Sequence, residues 1–113
     1  MLNPDSFKGP KVLTKETVQL MIRNHTAELG AWRGLGWSLK RPVESSAGDL
    51  FSDSAFGHTG FTGTSIWMDP EREMAVILLT NRLHLGHEET QDTINRLRPL
   101  VHNAAVNAFL RGR

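Results

Sequence analysis

The spacing of apolar residues along this chain changes from segment to segment, and each spacing predicts an element. Val18, Met21 and Ile22, with Leu20 at the margin, recur at helical intervals, the mark of an amphipathic helix. Thr14 stands where an N-cap belongs, Glu16 falls in the first turn, and Leu13 and Val18 have hydrophobic-staple spacing, so a helix is predicted over 15–25. His25 is then a residue of the helix end with no catalytic task, since cations are favoured there. Ahead of the helix, residues 3–11 carry Pro4, Gly9 and Pro10 and read as turns.

Leu35, Trp37 and Leu39 alternate with Gly34, Gly36 and Ser38, which predicts a strand near 33–39 with one face of small residues. Residues 40–53 are polar, with Pro42, Ser45, Ser46 and Gly48, and read as a long loop. Strands are expected near 56–60, 63–69 and 74–80. Asp69–Pro70–Glu71–Arg72 joins the last two as a type I turn with proline in its second position. The run Met74 to Leu79 does not alternate; a continuous apolar run predicts burial on both faces and a central place in the sheet. Ile94, Leu97, Val101, Ala104, Ala105 and Ala108 give a second helical stripe, near 91–110, which Pro99 is expected to break. The fold class is α+β: an antiparallel sheet with an N-terminal and a C-terminal helix packed on it.

Composition narrows the picture. The 113 residues make one domain at most, and an apolar share of 39% supports a modest core. A net charge of +1 with Lys and Arg spread along the chain leaves no nucleic-acid footprint. Cysteine is absent, which excludes disulfides and thiolate metal sites. No apolar run approaches the roughly 18 residues of a membrane span. Met1–Leu2–Asn3 has neither a basic start nor an apolar segment after it, so no signal peptide is expected, and the compartment stays open. His84 and His87 stand beside Gly86, Glu88 and Glu89, but a metal needs three or four converging ligands; the segment is expected to be a surface loop, with no metal and no cofactor. Trp32, Trp37 and Trp67 are expected to pack, Arg82 to form a salt bridge, and Thr62 and Thr64 to lie in strands.

The stretch Ala55 to Thr64 organises the rest. Glycines at 57, 60 and 63 interleave with His58, Thr59 and Thr62. Glycine inside a strand marks a bulge or a close approach of backbone or ligand, so this reads either as a strand edge held open for binding or as a plain glycine-rich hairpin.

The ordered segments resemble the C-terminal part of the serine β-lactamase and penicillin-binding-protein superfamily, on its class C β-lactamase-related, esterase-like branch. The residues that carry the resemblance are Val12–Met21, Gly34–Leu35–Gly36–Trp37, Gly57–His58–Thr59–Gly60–Phe61–Thr62–Gly63–Thr64, Trp67–Met68–Asp69–Pro70–Glu71–Arg72, Ile77–Leu78–Leu79–Thr80–Asn81–Arg82, Leu97–Arg98–Pro99 and Val101–His102. The resemblance implies a partial β-lactamase/transpeptidase-like fold. His58–Thr59–Gly60 would stand where the family has Lys-Thr-Gly on one wall of the active site, with His58 and Thr59 catalytic. Gly60, Phe61 and Thr62 would bind substrate, an amide of Phe61 or Thr62 serving the oxyanion hole. Histidine as a residue type titrates near neutrality, which by the resemblance favours ester or peptide-like substrates over strict β-lactams. Members of the family are often periplasmic or secreted.

One departure is large. The family nucleophile is the serine of Ser-x-x-Lys, and no serine here has lysine three residues on; with no tyrosine in the chain, Tyr-x-Asn is missing too. The chain is therefore expected to be the C-terminal portion of a serine hydrolase, inactive alone. An N-terminal complementary segment would complete it, or it would self-associate through the edge of strand 74–80. Its substrate would be a small-molecule ester, amide or β-lactam. The alternatives are a non-catalytic binding or interaction module, an inactive truncated product, or a small hydrolase pairing His58 with Ser54 or Ser65, which lacks a third orienting group.

Overall fold

The computed structural model describes residues 8–10, 12–85 and 90–113. Most of the N-terminal turn segment, and His87 with its neighbours Gly86, Glu88 and Glu89, lie outside the described residues. Helix α1 (Lys15–Ile22) is capped as expected: the Thr14 hydroxyl accepts from the Thr17 amide at 3.2 Å. It stops at Ile22, where Arg23 turns extended. The His25 ring reaches back to the Leu20 carbonyl at 2.7 Å, satisfying one of the orphan acceptors of the helix end.

The sheet has four antiparallel strands in chain order, β1 (Ser38–Leu39), β2 (Phe56–Thr59), β3 (Ser65–Asp69) and β4 (Met74–Leu78). The strand expected over 33–39 survives only as its last two residues, with one bridge between Arg33 and Ser38. The intervening backbone turns instead. Gly36 takes the left-handed conformation (φ 75°), Gly34 donates to the Trp37 carbonyl at 2.9 Å, and Leu35 donates to the Met21 carbonyl at 2.8 Å. Backbone groups spent on the end of α1 are not available to a ladder.

Within this chain the apolar run of the last strand lies at an edge of the sheet, not at its centre. Among the described residues β4 pairs with β3 alone and forms an edge; Ile77 is 62% exposed, while Met74 is buried. The strand with both faces covered is β3, where Ser65, Trp67, Met68 and Asp69 are buried.

Helix α2 (Gln91–Arg111) runs through Pro99 without a break. Proline removes one backbone hydrogen bond, that to the carbonyl of Asn95, and Asn95 is exposed, where water can replace it. The buried positions are Ile94, Arg98, His102 and Val106, an i, i+4, i+8, i+12 row. That row displaces the expected stripe: Leu97 is 39% exposed, and Ala104 and Ala108 face outward.

The core lies between the sheet, α2 and the segment ahead of β2, and contains Ala47, Phe51, Ala55, Trp67, Met74 and Val106. Full burial of each large member contributes roughly 1.5–3 kcal/mol. The long loop 40–53 is therefore a core element, and polar bonds hold it. Asn103 Oδ1 accepts from the amides of Asp49 (2.9 Å) and Leu50 (3.1 Å). The wholly buried Asp69 accepts from the Ser52 amide (2.9 Å) and hydroxyl (2.7 Å) and from Arg72 (2.5 Å). Burial pushes the Asp69 carboxyl up, but the bonds from Ser52 and Arg72 outweigh it and leave it below the ordinary carboxylate range.

Gly57 is demanded by this packing. A Cβ there would overlap the Ile66 carbonyl oxygen and lie 2.6 Å from the Trp67 ring. Gly57→Ala is expected to destabilise the chain by about 1–3 kcal/mol; a urea midpoint equal to that of the parent chain would show that the ring has room to move.

Candidate active site

The glycine-rich stretch folds as strand, tight turn and strand. β2 enters through Phe56, its ring edge-on to Trp37 with centroids 5.4 Å apart. β1 opposes only Phe56 and Gly57, because the chain before Ser38 has turned away towards α1. Beyond Gly57, among the described residues, β2 pairs with β3 alone: His58 opposite Ile66 and Thr59 opposite Ser65. One edge of the His58–Thr59 backbone is thus open. The His58 side chain is exposed and Thr59 and Gly60 are half-buried. Successive residues of a strand point to opposite faces, so His58 and Thr59 project to different sides. His58 Nδ1 lies 2.8 Å from the Thr59 carbonyl oxygen. A carbonyl can only accept, so Nδ1–H is the donor of this bond.

The turn itself is closed by Gly60 N–H to the Thr64 carbonyl (2.7 Å) and Gly63 N–H to the Gly60 carbonyl (3.0 Å). Gly63 has φ 98°, and a Cβ on it would press on Ile94 at 3.0 Å, so glycine is required by conformation and by space. Thr62 sits in this turn, outside any strand. Phe61 at its tip is 63% exposed, with the Arg82 guanidinium 4.9 Å from the ring centroid.

Two arginines underlie the turn. Arg98, 5% exposed, donates Nε to the Gly63 carbonyl (3.1 Å) and Nη2 to the carbonyls of Gly60 (2.9 Å) and Thr64 (3.4 Å). Arg82 donates Nε to the Phe61 carbonyl (2.7 Å) and its amide to the Thr62 carbonyl (2.9 Å). Burial, and then the charge of Arg82, pull the Arg98 pKa below its usual value, though a guanidinium stays charged at any working pH.

One helical turn beyond Arg98, the fully buried His102 places Nδ1 2.7 Å from the Ser46 carbonyl and Nε2 3.1 Å from Ser65 Oγ. The carbonyl accepts from Nδ1–H, so Nε2 accepts from the serine hydroxyl. Among the described residues this is the hydrogen-bonded serine–histidine pair, and it is sealed in the interior. No hydrogen bond joins His58 to Ser65 or Ser54; Ser65 Oγ bonds His102, and Ser54 Oγ bonds Glu71 at 2.8 Å. The expected site residues His58 to Thr62 lie together on β2 and its turn; Arg98 and His102, on α2, are not among the residues the sequence marks for the site, and Arg82, expected to form a salt bridge, bonds the carbonyls of the turn. The signal for the two α2 residues was present as Ile94, Arg98, His102 and Val106 at four-residue spacing, but a scan for apolar residues passes over the two polar members.

A cleft of about 840 Å³ lies elsewhere, bordered by Trp32, Arg33, Ser45, Trp67 and Pro99 and by none of the residues 58–62. The buried Trp67 Nε1 has no hydrogen-bond partner. Among the described residues no group of histidines and carboxylates could hold a metal, and no helix is long and apolar enough to cross a membrane.

A family model described as "Beta-lactamase" matches residues 1–99. The chain belongs to the beta-lactamase family. Similar proteins named "Putative D-alanyl-D-alanine carboxypeptidase" come from Escherichia coli O157:H7, 33% identical over 97 residues covering 84% of this chain and 22% of that protein. Another comes from Salmonella enteritidis PT4, 37% identical over 86 residues covering 74% of this chain and 19% of that protein. This family member thus spans about a fifth of the length of the relatives it matches. No solved structure matches it. Its antiparallel sheet and two helices are consistent with part of the family fold.

His102 gives a pH signature. Burial depresses its pKa below 6.5, the Arg98 charge adds to that, and the Ser46 carbonyl opposes it. Above pH 6.5 folded and unfolded chains both hold the neutral ring. Below it the unfolded chain takes up a proton that the folded chain resists. Stability is therefore expected to fall from pH 6.5 downward until the folded ring protonates. Urea midpoints from pH 7.5 to 5 should decline in the parent chain and decline less in His102→Asn; equal slopes would refute the assignment.

Proposed function

We propose that this chain supplies the active-site wall of a serine hydrolase of the beta-lactamase family, and that it acts only when joined to a segment carrying Ser-x-x-Lys. The observation behind the reading is the open edge of His58–Thr59 running into a glycine turn. An extended substrate can hydrogen-bond along such an edge, and Gly60, where a Cβ would overlap the Thr64 hydroxyl, lets the turn close behind it. His58 replaces the usual lysine of the triplet as the polar group beside the reacting centre. Thr59, whose side chain projects to the other face of the strand, contributes its backbone edge, with its hydroxyl reaching a substrate that passes that edge. The amide of Phe61 or Thr62 stabilises the oxyanion formed when the serine attacks the carbonyl. The substrates are small esters, amides or β-lactams. The names of the relatives favour peptides ending in D-alanyl-D-alanine among the amides.

The completing segment would pair with the free edge of β4, where Ile77 and Leu79 are exposed; self-association along that edge is the competing use of it. A non-catalytic binding module is the second reading, favoured by the lack of Ser-x-x-Lys in the sequence.

The test is hydrolysis of a chromogenic short-chain ester, a chromogenic cephalosporin and a D-alanyl-D-alanine peptide. The chain is assayed alone and joined to a family segment bearing Ser-x-x-Lys. Turnover is expected only in the joined form, with His58→Ala lowering it by about 100-fold or more. Turnover by the chain alone would overturn the reading; none in a joined form shown to be folded would favour the binding module.

A further inference from the structure

We infer that Arg98 and Arg82 are positioning residues that aim the Phe61 and Thr62 amides at the substrate side of the glycine turn. The inference rests on the proposed role of that turn and assigns it a supporting apparatus. All five carbonyls from Gly60 to Thr64 accept hydrogen bonds within the chain: Gly60, Gly63 and Thr64 from Arg98, Phe61 from Arg82 Nε, and Thr62 from the Arg82 amide and the Thr80 hydroxyl. No peptide bond among the described residues is cis. In a planar trans peptide the carbonyl of one residue and the N–H of the next point in opposite directions. The Gly60 carbonyl turned to Arg98 therefore turns the Phe61 N–H away from it. The Phe61 carbonyl turned to Arg82 does the same for the Thr62 N–H.

The choice of residue supports this assignment. A buried cation is a costly way to fill a core, and an apolar side chain of similar volume often serves stability as well or better. What a guanidinium adds is several donors at fixed angles, and Arg98 spends them on three carbonyls of one five-residue turn. Its charge also lies behind the peptide planes. A cation at the carbonyl end polarises the amide, so the N–H at the far end becomes a stronger donor towards a developing oxyanion. The apparatus is built across the chain: Arg98 comes from the middle of α2 and Arg82 from the 3₁₀ turn Arg82–Leu85 that follows β4.

The test uses the full chain, labelled with ¹⁵N, as Arg98→Gln, Arg98→Lys and Arg82→Lys. Arg98→Gln is expected to shift the Phe61 and Thr62 amide resonances and to speed exchange of the Gly60 and Gly63 amides by about 10-fold or more. Amides of α1 and of Asp69 to Met74 should stay as in the parent, and Arg98→Lys should recover part of the effect. If Arg98→Gln does not fold, Arg82→Lys is read the same way at Phe61 and Thr62. Unchanged Phe61 and Thr62 resonances, or changes spread evenly over the sheet, would overturn the inference. A second arm takes the form joined to a Ser-x-x-Lys segment, where Arg98→Lys should lower kcat by about 10-fold or more with KM altered about 2-fold at most. A joined parent form without activity would remove the proposed function, whereas the exchange and shift data judge the arginines independently of it.

Discussion

The bonds from one buried guanidinium to three backbone carbonyls hold the two halves of this molecule in register. Arg98 stands on α2 and its acceptors, Gly60, Gly63 and Thr64, stand on the turn between β2 and β3. Without those donors the Gly63 carbonyl would lose its bond, a cost of about 1–3 kcal/mol, and the Gly60 and Thr64 carbonyls would keep only the turn's own bonds from the Gly63 and Gly60 amides. Without those acceptors the guanidinium would be a bare charge in the interior. Each side makes the other tolerable, and the arrangement fixes how far the helix can slide or roll over the sheet.

The same logic recurs along α2. His102 bridges Ser65 on β3 and the Ser46 carbonyl on the long loop, and Asn103 caps the amides of Asp49 and Leu50. Asp69, at the end of β3, gathers Ser52 and Arg72. A small domain with Trp67, Phe51 and Val106 at its centre has limited apolar area to bury. Directional polar bonds supply what hydrophobic contact alone does not, a single register between helix, loop and sheet. The continuity of α2 through Pro99 follows: the anchors at Arg98 and His102 flank the proline and hold both turns in line.

Much of this was legible along the chain. The Thr14 cap, the hairpin around Asp69–Arg72 and the glycine turn at 60–63 are set by local chemistry: a hydroxyl at the right spacing, an aspartate that accepts amides two and three residues on, a glycine where φ is positive. The candidate site residues His58 to Thr62 fall on consecutive positions for the same reason. The strand expected over 33–39 failed because its backbone found partners at the end of α1, more than ten residues earlier in the chain, which no alternation of side chains reveals. That failure is also what leaves the His58–Thr59 edge open, so the feature that makes the strand bindable lies in another segment.

The sequence by itself determined the element order, the hairpin, the helix start and the family, since each depends on residues close together or on an ordered series of motifs. The tertiary structure decided which strand is buried on both faces, which side of α2 meets the sheet, and which polar residues support the glycine turn. The physical reason is that burial and hydrogen-bond partnership are properties of pairs distant in sequence. Arg98 and His102 look like surface residues of a helix until the carbonyls of Gly60, Gly63 and Ser46 are brought against them, and then they are its interior.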